Sequence, residues 1–403
     1  MAKTVKLGMF GAWRGNSYVD LISREDPDEI RIVAVCDKNA EKLDTLAGLE
    51  DAKLFADFED FLEYGKKTGM TAVFLANYFH QHAPFAIRAM EAGFDVISEC
   101  TAAATLRECV ALCRAVEKTG RKYMLAENYP FMTPNLLMKK LIDEGRLGSI
   151  LYAEGEYNHS GDLAMLRELT PFPTHWRAWM PRTYYLTHAM GPLMYMTSSL
   201  PLYVSARAAH SALLEEIRDF RPNDDGMARL FCEMSNGMAA SFTGCTAMAS
   251  DYSRYRVAGD RASVETGGYT GGKVRLFYFE HTRPAEVDSC ETLLTPDLSS
   301  LGEEGEKAAK SGHGGGDYRV VREMIDYFAG EKVPFFDVYK SVAMSATAIL
   351  GWRSCLAHGE NFRIPDFRNE EERRAVENDD LTPFPDENGE GRTLPPSTRY
   401  GTY

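Results

Sequence analysis

The 403-residue chain lacks any long hydrophobic run. Its longest apolar stretches, Ala72 to Ala76 and Met344 to Leu350, fall far short of the roughly 20 residues that cross a bilayer. Residues 1–8 lack the apolar region of a secretory signal, so cytoplasmic residence is the default expectation. The eight cysteines, Cys36, Cys100, Cys109, Cys113, Cys232, Cys245, Cys290 and Cys355, show neither paired zinc spacings nor a secretory context for disulfides. They read as mostly reduced core thiols. Cys109 and Cys113, four apart on an expected helix, read as small residues on one apolar face in preference to a redox pair. Positive charge is also short: the formal net charge is -14, which argues against nucleic acid or an anionic membrane as partner. A locally basic pocket for an anionic small substrate remains compatible with it. His80 and His82 have no accompanying carboxylate or cysteine cluster, and no metal is expected.

What is present is enough apolar material, 44% of residues, for a large core and two or three domains, or two with an arm. From Val5 to Glu127, short apolar runs (Val5–Phe10, Ile30–Cys36, Ala72–Leu75, Val96–Ser98, Tyr123–Leu125) alternate with amphipathic stretches such as His82–Gly93 and Leu106–Thr119. That alternation predicts a doubly wound parallel sheet with helices on both faces. After a helix from Asn135 to Glu144 the pattern changes to strands, with turn chemistry at Asn236-Gly237 and Gly259-Asp260. The second half reads as an α+β domain with an open, mostly antiparallel sheet, and late helices at Tyr318–Phe328 and Val338–His358. Domain boundaries are expected at 1–130, 131–365 and an acidic, proline-rich arm at 366–403. Thr282–Gly316 looks irregular, and the last dozen residues read as a solvated tail.

Gly8-Met-Phe-Gly11-Ala-Trp13-Arg14-Gly15-Asn16 follows the first strand and opens a helix, the setting of a dinucleotide fingerprint. Its glycines permit a tight turn and close approach to a pyrophosphate facing the helix N-terminus. The spacing is imperfect, because Trp13 stands where the second glycine of G-x-G-x-x-G belongs. Asp37 ends the second strand, where an acid accepts both ribose hydroxyls of NAD and repels the extra phosphate of NADP. NAD is the expected cofactor.

Several segments resemble the Gfo/Idh/MocA oxidoreductases: the fingerprint, Asn77-Tyr-Phe-His80-Gln-His82-Ala, Ala92-Gly93 through Glu99, Glu127-Asn128-Tyr129 and Gly145-Arg-Leu-Gly148. The resemblance implies a Rossmann domain followed by an α/β domain whose open sheet often packs on another subunit. A homo-oligomer, dimer or tetramer, is therefore expected. It also implies that Gly11, Trp13, Arg14, Gly15, Asn16, Asp37, Asn77, His80, His82, Glu99 and Asn128 contact the cofactor, with Glu99 and Asn128 reaching the substrate as well. Ordinary dehydrogenases of that group use the lysine of Glu-Lys-Pro and the histidine of Asp-x-Gly-x-His. Here the first motif reads Glu99-Cys100-Thr101, and Pro192 takes the place of that histidine.

The chain looks closer to the NAD-dependent glycosidases of the group, typified by α-N-acetylgalactosaminidases. It shares Trp176-Arg177, then Tyr185-Leu-Thr-His188-Ala-Met-Gly191-Pro192, differing in Leu186 for proline, and His313-Gly-Gly-Gly-Asp317-Tyr318. Asp337-Val-Tyr and Ile364-Pro-Asp366-Phe resemble further landmarks. The resemblance implies a tightly held, catalytic NAD and a sugar or glycoside substrate. It further implies hydrolysis by transient C3 oxidation, C2 deprotonation, elimination of the aglycone and water addition. Tyr185 and His188, three apart at the start of an expected helix, would share the C3 oxygen. Tyr318, its pKa lowered by local charge, would be the C2 base. Trp176, Trp179, Arg177 and Arg182 are either a structured loop or a grip on the sugar and an anionic substituent, and His313 is a further substrate contact. Two other readings stand beside this one: a sugar oxidoreductase with a different proton-transfer set, and a non-catalytic NAD- or sugar-binding protein.

Overall fold

The computed structural model describes residues 4–39, 43, 49, 51–249, 251–297, 302–330, 332–386 and 388–400. The chain forms two compact units. One comprises Met1–Asn128, Lys307–Val342 and Asp366–Asp380, the other Tyr129–Glu306, Ala343–Pro365 and Leu381–Tyr403. The chain changes unit close to both 130 and 365, and segments 307–342 and 366–380 return to the first unit.

The first unit is built on a six-stranded sheet in the order β3-β2-β1-β4-β5-β6, with β1 Val5–Phe10, β2 Ile30–Cys36, β3 Lys53–Phe55, β4 Ala72–Leu75, β5 Asp95–Ser98 and β6 Tyr123–Leu125. Every pair is parallel. The register sets Phe10 beside Cys36 and Leu75, Leu75 beside Ser98, and Ser98 beside Leu125. The residues that follow these ends, Gly11, Asp37, Asn77, Glu99 and Asn128, thus leave the sheet along one edge, its carboxyl edge, where open α/β sheets bind ligands.

Helices α1 Ala12–Ile22, α2 Phe58–Thr68, α3 His82–Glu91 and α4 Leu106–Thr119 cross between the strands. Their ends follow local chemistry. Asp57 accepts from the amides of Glu59 and Asp60 to start α2. Thr105 and Glu108 form a reciprocal capping box at the start of α4, satisfying two otherwise orphaned donors. Among the cysteines, seven are buried and Cys290 is partly exposed. Burial pushes the Cys113 thiol up to about 12 and Cys109 in the same direction, as befits core residues and not a redox pair.

The second unit, after helix α5 Thr133–Asp143, holds a nine-stranded sheet ordered β14-β13-β12-β11-β7-β10-β9-β8-β15. Its strands are β7 Ile150–His159, β8 Pro201–His210, β9 Asp225–Met234, β10 Ala239–Cys245, β11 Asp251–Gly259, β12 Ala262–Thr266, β13 Val274–Tyr278, β14 Glu291–Leu294 and β15 Phe362–Arg363. The turns at Asn236-Gly237 and Gly259-Asp260 join antiparallel neighbours. Among the described residues of this sheet the β7–β10 pair alone is parallel. Helix α6 Thr187–Thr197 packs on β7 so closely that a Cβ on Gly155 would come within 2.2 Å of the Ala189 carbonyl oxygen.

Two expectations fail here. Thr282–Gly316 contains β14, a helix at Gly302–Ala309 and a 3-10 turn at His313–Gly315. Residues 394–398 are not a solvated tail: Leu394 and Ser397 are buried, Trp352 Nε1 donates to the Pro395 carbonyl at 3.1 Å, and Thr398 donates to Asp225. Apolar contacts and buried acceptors hold what composition alone marks as loose. Among the described residues no helix is long and apolar enough to cross a membrane.

Candidate active site

The first unit concentrates charge along its carboxyl edge. Gly11 sits at φ 105°, and a Cβ there would lie 2.3 Å from the Ala76 carbonyl oxygen, so only glycine fits. A Cβ on Gly15 would strike Met9 Sδ at the same separation, which keeps α1 close to β1. Asp37 accepts from the amides of Ala12 at 2.7 Å and Asn39 at 2.9 Å, and so fixes the turn into α1. Ala40, whose stretch an aspartate at 37 would otherwise cap, lies outside the described residues. Each carboxylate oxygen keeps a further lone pair for a ribose hydroxyl. Trp13 and Asn16 are exposed on the first turns of α1.

Arg14 turns inward. Its Nε donates to Glu99 Oε1 at 2.7 Å, and one Nη reaches Tyr18 at 3.2 Å and Asp317 Oδ1 at 3.3 Å. Burial works against its charge, but Glu99, Tyr18 and Asp317 outweigh it and push its pKa up. Asp317 also accepts from Asn128 Nδ2 at 2.7 Å and faces His313 Nδ1 at 2.8 Å. Burial alone would raise this carboxyl; the His313 bond and the Arg14 charge bring it down to about 2. Tyr318, next in the chain, is buried on helix α7 Gly316–Ala329.

Other expected cofactor residues separate into two kinds. Both amide atoms of Asn77 are shut off from solvent with no hydrogen-bond partner in the structure. Such an orphaned amide beside the Gly11 cradle fits a nicotinamide dinucleotide on this edge. His82, in contrast, is tied to the carbonyls of Thr101 at 2.8 Å and Asn77 at 3.2 Å. Burial lowers its pKa, and its ring holds backbone. His80 stacks loosely with Tyr78. Cys100 Sγ donates to the buried Glu127 carboxylate at 3.1 Å, and the Cys100–Thr101 peptide is cis.

The second unit concentrates aromatic rings. Tyr185 ends a 3-10 turn, Arg182–Tyr185, and His188 lies in the first turn of α6. Only His188 is therefore helical, yet the rings meet: Tyr185 and His188 centroids are 5.6 Å apart. Tyr129 stacks on His188 at 4.4 Å and Tyr157 meets its edge at 4.9 Å. Burial, with Tyr185 and Tyr129 close by, drives the Tyr157 hydroxyl well above its ordinary pKa.

Pro192 explains how α6 holds this position. Lacking an amide hydrogen, it leaves the His188 carbonyl without its helical donor. Tyr255 supplies one, its hydroxyl donating to that oxygen at 2.6 Å.

The expected sugar grip looks different in place. Trp176 is buried, with the Arg177 guanidinium 4.4 Å over its ring and 5.8 Å from that of Tyr185. Arg182 is buried, donating to Thr246 and to the Met180 carbonyl. Burial and the Arg177 charge lower its pKa to about 10. These two residues therefore build the loop, and Arg177 is the one whose cation lies along the aromatic cluster. Trp179 donates to the Pro173 carbonyl and stacks under Arg392. The sequence reading gave no role to Asp317, whose partners Arg14 and Asn128 lie far off in the chain, or to Tyr157.

Among the described residues one trio, His210, Asp224 and Asp225, brings three possible metal-ligand atoms within 4.8 Å. Asp225 already accepts from Thr398 and faces His210 at 3.0 Å, while Asp224 faces Arg218 and Arg399. The trio anchors the chain end.

Residues 5–127 match the GFO_IDH_MocA model, described as oxidoreductase family, NAD-binding Rossmann fold. Residues 301–372 match the C-terminal domain of glycosyl hydrolase 109. Residues 5–127 thus match an NAD-binding Rossmann domain of the Gfo/Idh/MocA type. The chain as a whole is similar to glycosyl hydrolase 109 proteins. One from Shewanella pealeana is 23% identical over 398 residues, covering 90% of this chain and 85% of that protein. The alpha-N-acetylgalactosaminidase of Shewanella oneidensis is 23% identical over 412 residues, covering 91% and 85%. Levoglucosan dehydrogenase, solved with NADH and L-sorbose, shares the fold with TM-score 0.73 at 17% identity, covering 91% of this chain and all of that one.

Proposed function

We propose that this protein is an NAD-dependent glycosidase that releases its aglycone by elimination after transient oxidation at C3. The observation behind this reading is the His188 cluster. Where ordinary dehydrogenases of the superfamily place a catalytic histidine, this helix has Pro192, and a histidine one turn earlier sits among three tyrosines. The proton-handling groups have moved, and the lysine of the dehydrogenase strand is replaced by a thiol bound to Glu127.

Gly11, Asp37 and Asn77 hold the cofactor, which when bound supplies a reversible oxidation at C3. His188, with Tyr185 beside it, takes the C3 hydroxyl proton as the ketone forms and returns it at the end; an imidazole suits both directions near neutral pH. The ketone acidifies the neighbouring C–H, and Tyr318 removes the C2 proton. Arg177 offers its guanidinium to an anionic substituent of the sugar.

The test is incubation of the purified protein with NAD and a panel of aryl glycosides. Aglycone release without accumulation of NADH is expected. Net NADH without release would identify a sugar oxidoreductase, and neither would identify a binding protein.

A further inference from the structure

We propose that the substrate is an anionic sugar, a glycoside whose sugar ring carries a carboxylate or sulfonate group that Arg177 receives. The proposal deepens the glycosidase reading and rests on it.

Three guanidinium groups converge beside the His188 cluster. Arg182 and Arg221 are 6% and 3% exposed, and Arg177 is half-buried. Carbonyls and one side-chain amide tie them into a single frame. Arg182 donates to the Met180 carbonyl at 3.2 Å, Asn223 Nδ2 donates to the same oxygen, and Arg221 Nε donates to the Asn223 carbonyl at 3.2 Å. The Asn223 backbone amide donates in turn to the Ala178 carbonyl at 3.1 Å, one residue from Arg177.

This frame is short of negative charge. Among the described residues none of the three arginines forms a salt bridge, and Arg182 Nε is closed off from solvent with no hydrogen-bond partner. The neighbouring acids are engaged elsewhere, Asp225 by Thr398 and His210, Asp224 by Arg218 and Arg399. Burial and the Arg177 charge therefore lower Arg182 to about 10 against the pull of Tyr185 and Asp225, and burial with both other arginines lowers Arg221 as well. Buried charges are ordinarily paired, because an unpaired one is strongly destabilising. Three cations so placed gain most from an anion that the ligand brings.

Exposure divides the work among them. Arg182 and Arg221 hold the loop and act on the anion through their field. Arg177 presents the reachable guanidinium, 4.4 Å over the Trp176 ring and 5.8 Å from that of Tyr185, with the paired N–H donors that fit carboxylate and sulfonate oxygens. The Tyr185 and His188 rings are 5.6 Å apart. A single side chain thus separates the cation from the imidazole that handles the C3 hydroxyl, which assigns the charge to a substituent of the sugar and not to the aglycone.

A merely structural arginine cluster would be indifferent to substrate charge. The test uses the NAD-loaded protein and 4-nitrophenyl glycosides of the gluco and galacto series that differ only at C6: the neutral sugar, the uronide and the 6-deoxy-6-sulfonate. A neutral sugar on a sulfonated aglycone is the control. We expect kcat/KM on an acidic sugar to exceed that on its neutral partner by about 10²-fold, with the better of the two acids naming the anion. Arg177→Met should bring that ratio close to one, and Arg177→Lys should restore part of it. With NADH bound, so that oxidation does not start, the acidic methyl glycoside should raise the thermal midpoint more than the neutral one. Equal or faster turnover of the neutral sugars, a preference for charge on the aglycone, or a preference that survives Arg177→Met would overturn the proposal and leave the glycosidase reading intact. Release from none of the glycosides would overturn the glycosidase reading; the thermal midpoints then decide for the anion if they differ and against it if they do not.

Discussion

The two units order their reactive groups by opposite means. On the carboxyl edge of the first, charges lock one another: Arg14 is shared by Glu99 and Asp317, and Asp317 is shared by Arg14, Asn128 and His313. In the second, rings do the ordering: Tyr129, Tyr157 and Tyr185 pack around His188. The lesson concerns pH and fixity. Paired charges hold geometry as long as the carboxylates stay ionised, whereas packed rings, among them Tyr157 with its raised hydroxyl pKa, keep theirs without an ionised partner.

The sharpest break of this contrast removes one oxygen. Tyr318→Phe should lower aglycone release by about 10³-fold while leaving NAD affinity unchanged, measured by release kinetics and by fluorescence titration. Normal turnover would remove Tyr318 from the role. His188→Gln keeps size and hydrogen bonding but not proton transfer, and should cost about 10²-fold in kcat/KM.

Asp317→Asn probes the charged side through stability. Removing one member of a buried, shared ion pair should cost about 3 kcal/mol, read as a lower urea midpoint with unchanged slope. The pH dependence has a definite sign. The folded-state pKa of about 2 lies below the ordinary carboxyl value of 3.8, so the contribution is fully present above about pH 4. It is lost as pH falls toward 2, and the variant should show a flatter acid limb over that window.

The smallest expected effect is on the aromatic side. Tyr255→Phe withdraws the hydroxyl that stands in for the missing Pro192 amide and leaves the His188 carbonyl unsatisfied, at about 1–2 kcal/mol. Its effect on kcat should exceed that on KM if the bond positions His188. Equal stability would mean that another donor serves the carbonyl.

Much of this was legible in the residues. The buried parallel strands announce themselves as short apolar runs, and Leu106–Thr119 reads correctly from its period. The three-residue edge strand Lys53–Phe55 gave too little pattern to see. The parallel β7–β10 pair is invisible to turn chemistry, which reports only neighbours in the chain. Asp317 stands in a recognisable motif, but its partner Arg14 is 303 residues away, and no local signal joins them. Trp176 and Arg182 show the converse limit: the residue types left loop and ligand contact both open, and burial packs the two side chains into the loop.

The central claim is that the C2–H bond breaks and re-forms while the aglycone leaves. Hydrolysis of an aryl glycoside by the NAD-loaded protein in deuterium oxide, with the released sugar read by proton NMR, tests it directly. The account predicts a product carrying deuterium at C2 with no net NADH. A product that keeps its C2 proton would contradict it.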